Sequence, residues 1–309
     1  MGIFRTLLLW GSENRWLRET APKLFFVRKA TKRFMPGEKL ADAIDAAKTL
    51  QEKKLSTVFT HLGENINSLE EANVVTEHYL QVLKEVNATG LDTEISLKLT
   101  QIGLDQDVEQ AYRNFQKITR EAAKLNNFVW IDIEGRDYTQ VTIDFYERAR
   151  KEFPNTGLCL QAYLYRTHDD IEKLLSLSPA IRLVKGAYNE PKEIAFPEKK
   201  DVDDNFFKLS EQLLRGAQKN GARAAFATHD TNLVSQIEQA ANSLQVPQGE
   251  LEFQMLYGIT PREQIRLVEQ GHKVRVLISY GEFWFPWYMR RLAERPANVM
   301  FVLKSIISK

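Results

Sequence analysis

Short runs of apolar and β-branched residues alternate with longer stretches of helical spacing through most of the chain. Eight of these runs have the length and composition of buried strands. They cover residues 56–62, 94–99, 128–133, 157–162, 181–185, 223–228, 251–255 and 273–278. Amphipathic helices are predicted over residues 68–86, 107–125, 138–152, 203–219, 232–243, 262–270 and 284–307.

Eight strand–helix units are typical of an α/β fold of the (βα)8 TIM-barrel type, with a parallel sheet inside and helices outside. The alternative is an open doubly wound sheet, which usually carries a GxGxxG loop after its first strand. No two of the 15 glycines are two positions apart, so that loop is absent. We predict an N-terminal helical arm over residues 1–35 and a barrel over residues 36–309, whose last helix, 284–307, covers the site.

The predicted arm differs from the rest of the chain in its charge. It carries eight basic and two acidic residues, whereas the whole chain of 309 residues has a net charge of +1. The arm is also apolar, and two interpretations stay open. It forms helices that cap a core or an oligomer contact, or it touches an anionic membrane surface. No apolar run is long enough for a signal peptide or a membrane-spanning helix.

Charge and cysteine content limit the compartment and the partners. The near-zero net charge argues against strong nucleic-acid binding. A single cysteine, Cys159, excludes an intrachain disulfide and any CxxC motif. We therefore expect a cytoplasmic protein, located at the inner face of the membrane if the arm binds lipid.

Polar residues stand near the ends of six consecutive predicted strands. In a TIM barrel, the active site forms at the carboxyl ends of the strands and in the loops that follow. Any one such residue can instead belong to an ion pair buried in the barrel core, but six strands in a row favour a site. The residues are Lys98, Asp132, Gln161, Arg182, Lys185, Thr228, His229 and Gln254.

Basic residues dominate this set once the last helix, with Arg290, Arg291 and Glu294, is included. Converging cations suit an anionic ligand such as a carboxylate or a phosphate. HExxH, GxSxG and HxH are absent, and we place only one histidine, His229, at a strand end. No metal site is predicted.

Several ordered motifs make the chain recognisable. They read RLVKGAY at 182–188, FATHD at 226–230, FQMLYG at 253–258 and MRRLAERPAN at 289–298, with SLKLTQ at 96–101 and LQAYLYRT at 160–167. From about residue 36 to the C-terminus the sequence resembles the proline dehydrogenase family, in particular its short monofunctional bacterial members.

This resemblance implies a distorted (βα)8 barrel that holds FAD and catalyses the first step of proline catabolism. L-Proline would be oxidised to 1-pyrroline-5-carboxylate by hydride transfer from C5 to flavin N5. The electrons would pass to a membrane quinone. A 1-pyrroline-5-carboxylate dehydrogenase is a further partner that the resemblance suggests, because it would take the product.

The resemblance also implies roles for individual residues. Arg290 and Arg291 would bind the proline carboxylate with help from Lys98, since paired guanidinium donors fix its position and tilt. Asp132 would belong to the charge network around Lys98, and Arg182 would stabilise negative charge at the flavin N5. Tyr188 and Leu256 would form walls of the substrate pocket. The FAD would be lined by Ile133, Gln161, Lys185, Gly186, Ala187, Thr228, His229, Gln254 and Glu294.

Two positions depart from the family pattern. Leu277 stands 13 residues before Arg290, where the family usually has a tyrosine, and Trp287 stands where the family commonly has a tyrosine packed on the substrate ring. These changes reshape the substrate pocket, so a related cyclic or N-substituted amino acid is an alternative substrate.

Two other classes of function stay open. A TIM-barrel lyase or aldolase would use Lys98 or Lys185 as a Schiff-base amine. A non-catalytic relative would bind FAD, or a partner, without turning over proline.

Overall fold

The structure, a computed structural model, describes residues 14–21, 27, 31–63 and 66–294, without the side chains of Arg15, Arg18, Glu19, Gln248, Arg290, Ala293 and Glu294. Its centre is a closed barrel of eight parallel strands in the order of the chain. The strands are β1 Ser56–His61, β2 Thr93–Lys98, β3 Val129–Asp132, β4 Thr156–Gln161, β5 Ala180–Val184, β6 Arg223–Ala227, β7 Glu252–Leu256 and β8 Lys273–Tyr280. Each predicted strand is confirmed with its ends within two residues, and the predicted (βα)8 fold is correct.

Helices surround the barrel and follow the strands as expected for βα units. They are α1 Arg15–Thr20, α2 Leu40–Gln51, α3 Leu69–Thr89, α4 Val108–Lys124, α5 Arg136–Glu152, α6 Thr167–Leu174, α7 Lys199–Asn220, α8 Thr231–Ser243, α9 Pro261–Glu269 and α10 Trp284–Glu294. Four of the helix starts are fixed by side-chain caps that accept a backbone N–H: Asn14 before α1, Ser68 before α3, Asp107 before α4 and Asp230 before α8.

Two of these helices, α2 and α6, are not among those predicted from the sequence. The α6 helix has eight residues, THDDIEKL, of which only Ile171 and Leu174 are large apolar residues buried in the core. A segment of two turns is too short to show a helical period. The predicted last helix, 284–307, begins at Trp284 as expected, and its part beyond Glu294 lies outside the described residues.

The barrel has one apolar layer outside the strands and a smaller one inside. The outer layer packs strands against helices, with residues such as Phe59, Ile95 and Phe253 completely buried. The inner layer consists of Val58, Trp130, Ala180 and Ala225, against which Phe128 and Leu277 pack. Because successive residues of a strand face opposite sides, this inner layer shows which residues point into the barrel.

A cluster of four charged residues fills the barrel on the N-terminal side of Trp130. This lower cluster consists of Glu94, Arg223, Glu252 and Arg275. Arg223 Nε donates to Glu252 at 2.9 Å and its Nη2 to Glu94 at 3.1 Å, while its guanidinium carbon lies 5.0 Å from the centre of the Trp130 ring. Arg275 Nη2 lies 3.3 Å from Glu94. These ion pairs close the amino end of the barrel.

The last helix lies over the opposite end of the barrel. Trp284, Phe285, Trp287 and Tyr288 of α10 form a third buried cluster with residues of the predicted arm, Phe34 and Met35 among them. Trp284 Nε1 also donates to Glu38 Oε1 at 3.0 Å. The described part of the arm therefore packs on the last helix.

Gly258 is needed for this contact. It has a φ of +73°, and a Cβ at this position would lie 1.6 Å from the backbone oxygen of Arg33. Only glycine allows the β7–α9 loop to come this close to the segment before α2. Among the described helices, none has the length and apolarity needed to cross a membrane.

Candidate active site

A cleft with an empty volume of about 560 Å³ opens at the carboxyl ends of β8, β1, β2 and β3. Four of the predicted site residues, Lys98, Asp132, Leu277 and Trp287, line it. Lys98 and Asp132 are the last residues of neighbouring strands and are paired in the β2–β3 register. Trp287 comes from α10, so this helix forms one wall of the cleft.

A hydrogen-bonded group of three residues lies inside the barrel beside this cleft. We call Ser96, Asp132 and Arg182 the upper cluster. Arg182 Nη1 donates to Asp132 Oδ1 at 2.8 Å and to Ser96 Oγ at 3.1 Å, and Ser96 Oγ donates to Asp132 Oδ1 at 2.8 Å. The Arg182 guanidinium carbon is 4.7 Å from the centre of the Trp130 ring. Trp130 therefore contacts an arginine on each of its two sides.

The Arg182 guanidinium is only partly satisfied. Its side chain is 3% exposed, yet Nε and Nη2 have no hydrogen-bond partner among the described residues. Buried donors without partners are rare, since each costs about 1–3 kcal/mol. Gln161, at the end of β4, has a buried side-chain oxygen that also lacks a hydrogen-bond partner among the described residues. The arrangement offers two donors and one acceptor to a bound molecule.

The loop after β5 holds four predicted site residues, Lys185 to Tyr188. Lys185 Nζ lies 3.2 Å from Asp230 Oδ2 and also binds Asp203, so this amine donates to two carboxylates. Gly186 has a φ of +115°, and a Cβ here would lie 2.3 Å from the ring of Tyr163. The glycine therefore lets the backbone pass directly over Tyr163. Ala187 and Tyr188 are half-buried in the same loop.

The ends of β6 and β7 are joined by a histidine. His229 Nε2 accepts the backbone N–H of Leu256 at 2.8 Å, which requires the ring proton on Nδ1. Thr228 is buried, and its hydroxyl accepts the N–H of Asp230 at 3.1 Å. The structure thus brings Thr228, His229 and Leu256 together at the carboxyl ends of neighbouring strands.

The other predicted site residues are placed as follows. Ile133 is buried after β3. Gln254 is buried in the middle of β7, where its amide donates to Glu252 of the lower cluster at 2.8 Å, and its side-chain oxygen has no partner among the described residues. Arg290, Arg291 and Glu294 lie on α10. Arg291 is half-buried, whereas the side chains of Arg290 and Glu294 lie outside the described part of the structure.

Sequence analysis missed a group of aromatic and histidine side chains at the edge of the cleft. Only His229 is predicted at a strand end, but His61 is the last residue of β1 and lines the cleft. Its ring centre is 4.5 Å from that of His78, whose Nε2 lies 2.8 Å from the hydroxyl of Tyr280. Burial, with His78 as a smaller cause, lowers the pKa of His61 to about 4. The position of His61 at the end of the first predicted strand could have identified it as a candidate site residue.

Thr60 and Ser279 were also missed, although both line the cleft. Burial raises the pKa of the Cys159 thiol to about 12, which disfavours its thiolate form. Among the described residues, no group of three or more His, Cys, Asp or Glu side chains is arranged to hold a metal ion.

Comparisons with known proteins agree with the motifs. The family model described as proline dehydrogenase matches residues 43–304. The chain is similar to proline dehydrogenase 2 of Bacillus subtilis subsp. natto, with 39% identity over 310 residues and complete coverage of both proteins (100% of each). It is 32% identical to proline dehydrogenase of Deinococcus radiodurans over 310 residues, which covers 99% of this chain and 98% of that protein.

A solved structure supports the fold. Proline utilization A (PutA) from Bdellovibrio bacteriovorus, inactivated by N-propargylglycine, superposes with a TM-score of 0.79 and 21% sequence identity over 93% of this chain and 38% of that chain. With a matching family model over most of its length and full-length relatives of this similarity, the chain belongs to the proline dehydrogenase family.

Proposed function

We propose that this protein oxidises L-proline to 1-pyrroline-5-carboxylate in proline catabolism and that it uses FAD to do so. The relatives' names indicate the substrate. The observation that carries the proposal is the partly satisfied Arg182 guanidinium inside the barrel, next to a cleft that Lys98 lines. Such a pair of sites suits a redox cofactor beside a small carboxylate.

The residues present fit a flavin. The flavin ring has hydrogen-bond acceptors and one N–H along its edge, and the Arg182 donors and the Gln161 oxygen supply complementary partners. Gly186 keeps the loop after β5 free of a side chain where the backbone passes over Tyr163. Thr228 and His229 complete this side of the barrel. We propose that these residues, with Ile133, Lys185, Ala187, Gln254 and Glu294, hold the FAD.

The substrate would lie in the cleft, on the side of β8, β1 and β2. Lys98, Arg290 and Arg291 would bind the carboxylate, since cations suit this group and guanidinium donors can bind both of its oxygens. Leu256, Leu277, Trp287 and Tyr188 would enclose the ring. FAD, when bound, would supply the acceptor for the hydride that leaves C5 of proline.

Arg182 and Asp132 would act through electrostatics. The Arg182 guanidinium would stabilise negative charge that develops near its two unpartnered donors. Asp132 Oδ1 accepts from both Arg182 and Ser96, so it fixes the orientation of the guanidinium plane. A preoriented charge of this kind is effective because it needs no rearrangement during the reaction.

The electron acceptor and the location are further parts of the proposal. We propose a membrane quinone as acceptor, with the protein in the cytoplasm at the inner face of the membrane and the arm, residues 1–35, in contact with lipid. The barrel, residues 36–309, would carry the chemistry. A separate 1-pyrroline-5-carboxylate dehydrogenase would consume the product. These proposals rest on the family resemblance and on the basic, apolar character of the arm.

Anaerobic spectroscopy tests the proposed function. The purified protein should show flavin absorbance bands, and L-proline should bleach them in the absence of oxygen. Bands that persist with proline but bleach with another cyclic or N-substituted amino acid would move the substrate assignment, and Leu277 in the cleft wall is the observation that favours this alternative. Bands that no amine bleaches would indicate the non-catalytic relative.

A protein that stays colourless after incubation with FAD would contradict the proposal and favour the Schiff-base lyase. Borohydride trapping with a carbonyl substrate would then test Lys98 and Lys185. The structure gives that alternative little support at Lys185, because its amine donates to Asp203 and Asp230.

A further inference from the structure

Ser279 occupies a position in β8 that faces the substrate side of the cleft. Val276, Ile278 and Tyr280 belong to the apolar layer outside the barrel, whereas Leu277 packs on the inner layer. The alternation of a strand therefore directs Ser279 into the barrel. Ser279 pairs with Thr60 in the β1–β8 register, and both line the cleft together with Lys98 and Asp132.

The Ser279 hydroxyl has no hydrogen-bond partner among the described residues, although the residue is only 1% exposed. Many buried hydroxyls in the described structure have a partner, for example Ser210, which donates to the Phe206 carbonyl at 2.7 Å, and Thr156, which donates to the Phe153 carbonyl at 2.8 Å. A buried hydroxyl without a hydrogen-bond partner destabilises the protein unless a bound ligand supplies that partner. Since Ser279 lines the cleft, the missing partner is expected to be a molecule bound there.

The location of Ser279 distinguishes the substrate from the cofactor. The residues proposed to hold FAD belong mostly to β3–β7 and the loops after them, whereas Ser279 lies between β7 and β1 and pairs with Thr60. A proline-like substrate has two polar groups, the carboxylate and the ring amine. The carboxylate is assigned to Lys98 and the two arginines of α10, which leaves the amine.

We propose that Ser279 Oγ accepts a hydrogen bond from the ring N–H of the substrate. This inference rests on the proposed function and makes Ser279 a substrate-binding residue that selects secondary amines. A hydroxyl is an uncharged acceptor, so it holds the nitrogen without stabilising the ammonium form as strongly as a carboxylate would. A tertiary, N-alkylated amine in its neutral form has no N–H to donate, so it could pair with this hydroxyl only by accepting from it.

The test compares two ligands and two variants. L-Proline carries the N–H, and cyclopentanecarboxylate is a competitive inhibitor candidate of the same shape with a CH2 in its place. The test variant is Ser279→Ala. The matched control is Thr139→Val, because Thr139 on α5 is also buried with an unpartnered hydroxyl and does not line the cleft. Both variants remove a hydroxyl that the ligand-free protein does not use.

Ser279→Ala should lower kcat/KM for L-proline about threefold to tenfold, the effect of one hydrogen bond. The inhibition constant of cyclopentanecarboxylate should stay within about twofold of the wild-type value, because this ligand cannot make the hydrogen bond. The melting temperature of both variants should stay constant or rise by about 1–3 °C. Thr139→Val should leave both ligand constants unchanged.

Equal losses for both ligands, or no loss for L-proline, would overturn the assignment of Ser279 while leaving the proposed function intact. Failure of the proposed function is seen separately and earlier, in the wild-type protein, if no cyclic amino acid bleaches the flavin. A clear fall in the melting temperature of Ser279→Ala would also count against the inference, because it would show that the hydroxyl is satisfied within the protein.

Discussion

The two polar clusters inside the barrel use similar residues on opposite sides of Trp130 and differ in how completely they are satisfied. In the lower cluster all three guanidinium nitrogens of Arg223 contact Glu94 or Glu252. In the upper cluster Arg182 uses one nitrogen, and the other two have no partner among the described residues. A cluster whose donors all have partners stabilises the fold, whereas one with unpartnered donors can bind a ligand.

A buried arginine can either stabilise the fold or bind a ligand. The difference in hydrogen-bond partners distinguishes these two roles. Polar residues inside an apolar strand are costly, and a complete set of partners is one way to offset that cost. Glu94 also accepts the indole N–H of Trp130 at 2.7 Å, so little hydrogen-bonding capacity is left in the lower cluster. The upper cluster still has donors available for hydrogen bonds. It lies at the end of the barrel where βα loops and α10 enclose a cleft.

Removing the lower arginine should have the largest effect. Arg223→Met leaves the carboxylates of Glu94 and Glu252 inside the barrel without their main partner. Loss of one member of a buried ion pair costs about 3–5 kcal/mol. Urea unfolding followed by circular dichroism should show this loss, while kcat/KM per folded molecule at low temperature stays within about twofold of wild type. A variant that is stable but inactive would contradict the structural role of the lower cluster.

Removing the upper arginine, Arg182, should lower activity more than stability. Arg182→Met should lower kcat/KM for L-proline roughly 10²–10³-fold, the size expected when a preoriented charge is lost. Its free energy of unfolding should fall by less than that of Arg223→Met, because Asp132 keeps its hydrogen bond from Ser96 and is 20% exposed. Arg182→Lys is the control that keeps the charge and loses the planar donors. Near-normal activity in Arg182→Met would remove the basis of the proposed function.

The sequence was sufficient to predict the barrel because the information is local. Each strand is a short apolar run and most helices show a clear period, so eight units could be counted. The predicted ends of β2, β3 and β4 also placed Lys98, Asp132 and Gln161 at the carboxyl end of the barrel, where the structure has them, whereas Arg182 lies in the middle of β5. Helices α2 and α6 were not predicted: α6 is too short to show a period, whereas α2 has buried residues at helical spacing and was overlooked.

The sequence could not show how many of the hydrogen-bond donors in each cluster have partners within the protein. Arg223 meets Glu94 across 129 positions, and Arg182 meets Ser96 across 86. Whether all three guanidinium nitrogens of an arginine find partners depends on these contacts between residues far apart in the sequence, and not on residue type. The pairing of Thr60 with Ser279 likewise arises only when β8 closes the barrel against β1. For the same reason the histidine contact between β1 and α3 was missed.

A pH titration sharpens the comparison, because the two ends of the barrel respond differently. Burial and His78 lower the pKa of His61 to about 4 from 6.5. The unfolded chain therefore binds more protons than the folded one between these values, and the contribution of His61 to stability, present above pH 6.5, is lost as the pH falls towards 4. The size of this contribution is about 1–3 kcal/mol.

At the lower end of the barrel, the Asp92 carboxylate stays ionised over the same range. Burial opposes ionisation of Asp92, but Arg275 and Ser56 lower the pKa of its carboxyl below the ordinary value. His61→Asn should therefore flatten the fall in unfolding free energy between pH 6.5 and pH 4, as measured by urea unfolding at several pH values. His168→Asn is the control, since the His168 side chain is 64% exposed. Identical slopes for wild type and His61→Asn would contradict the pKa shift.

The smallest expected change concerns the layer between the two clusters. Leu277 packs on the inner apolar layer and lines the cleft, at the position where the family usually has a tyrosine. Leu277→Tyr should raise kcat/KM for L-proline about threefold to tenfold, because the larger ring contacts the substrate and its hydroxyl reaches the polar side of the cleft.

Leu277→Phe separates these two contributions, since it supplies the ring without the hydroxyl. A gain in both variants would assign the effect to ring contact, and a gain in Leu277→Tyr alone would assign it to the added hydrogen bond. Unchanged or lower kcat/KM in both variants would mean that Leu277 suits the cleft of this protein better than an aromatic residue does. Because Trp287 already adds bulk to the same cleft, that outcome would favour a substrate other than proline, and the panel of cyclic amino acids would then identify it.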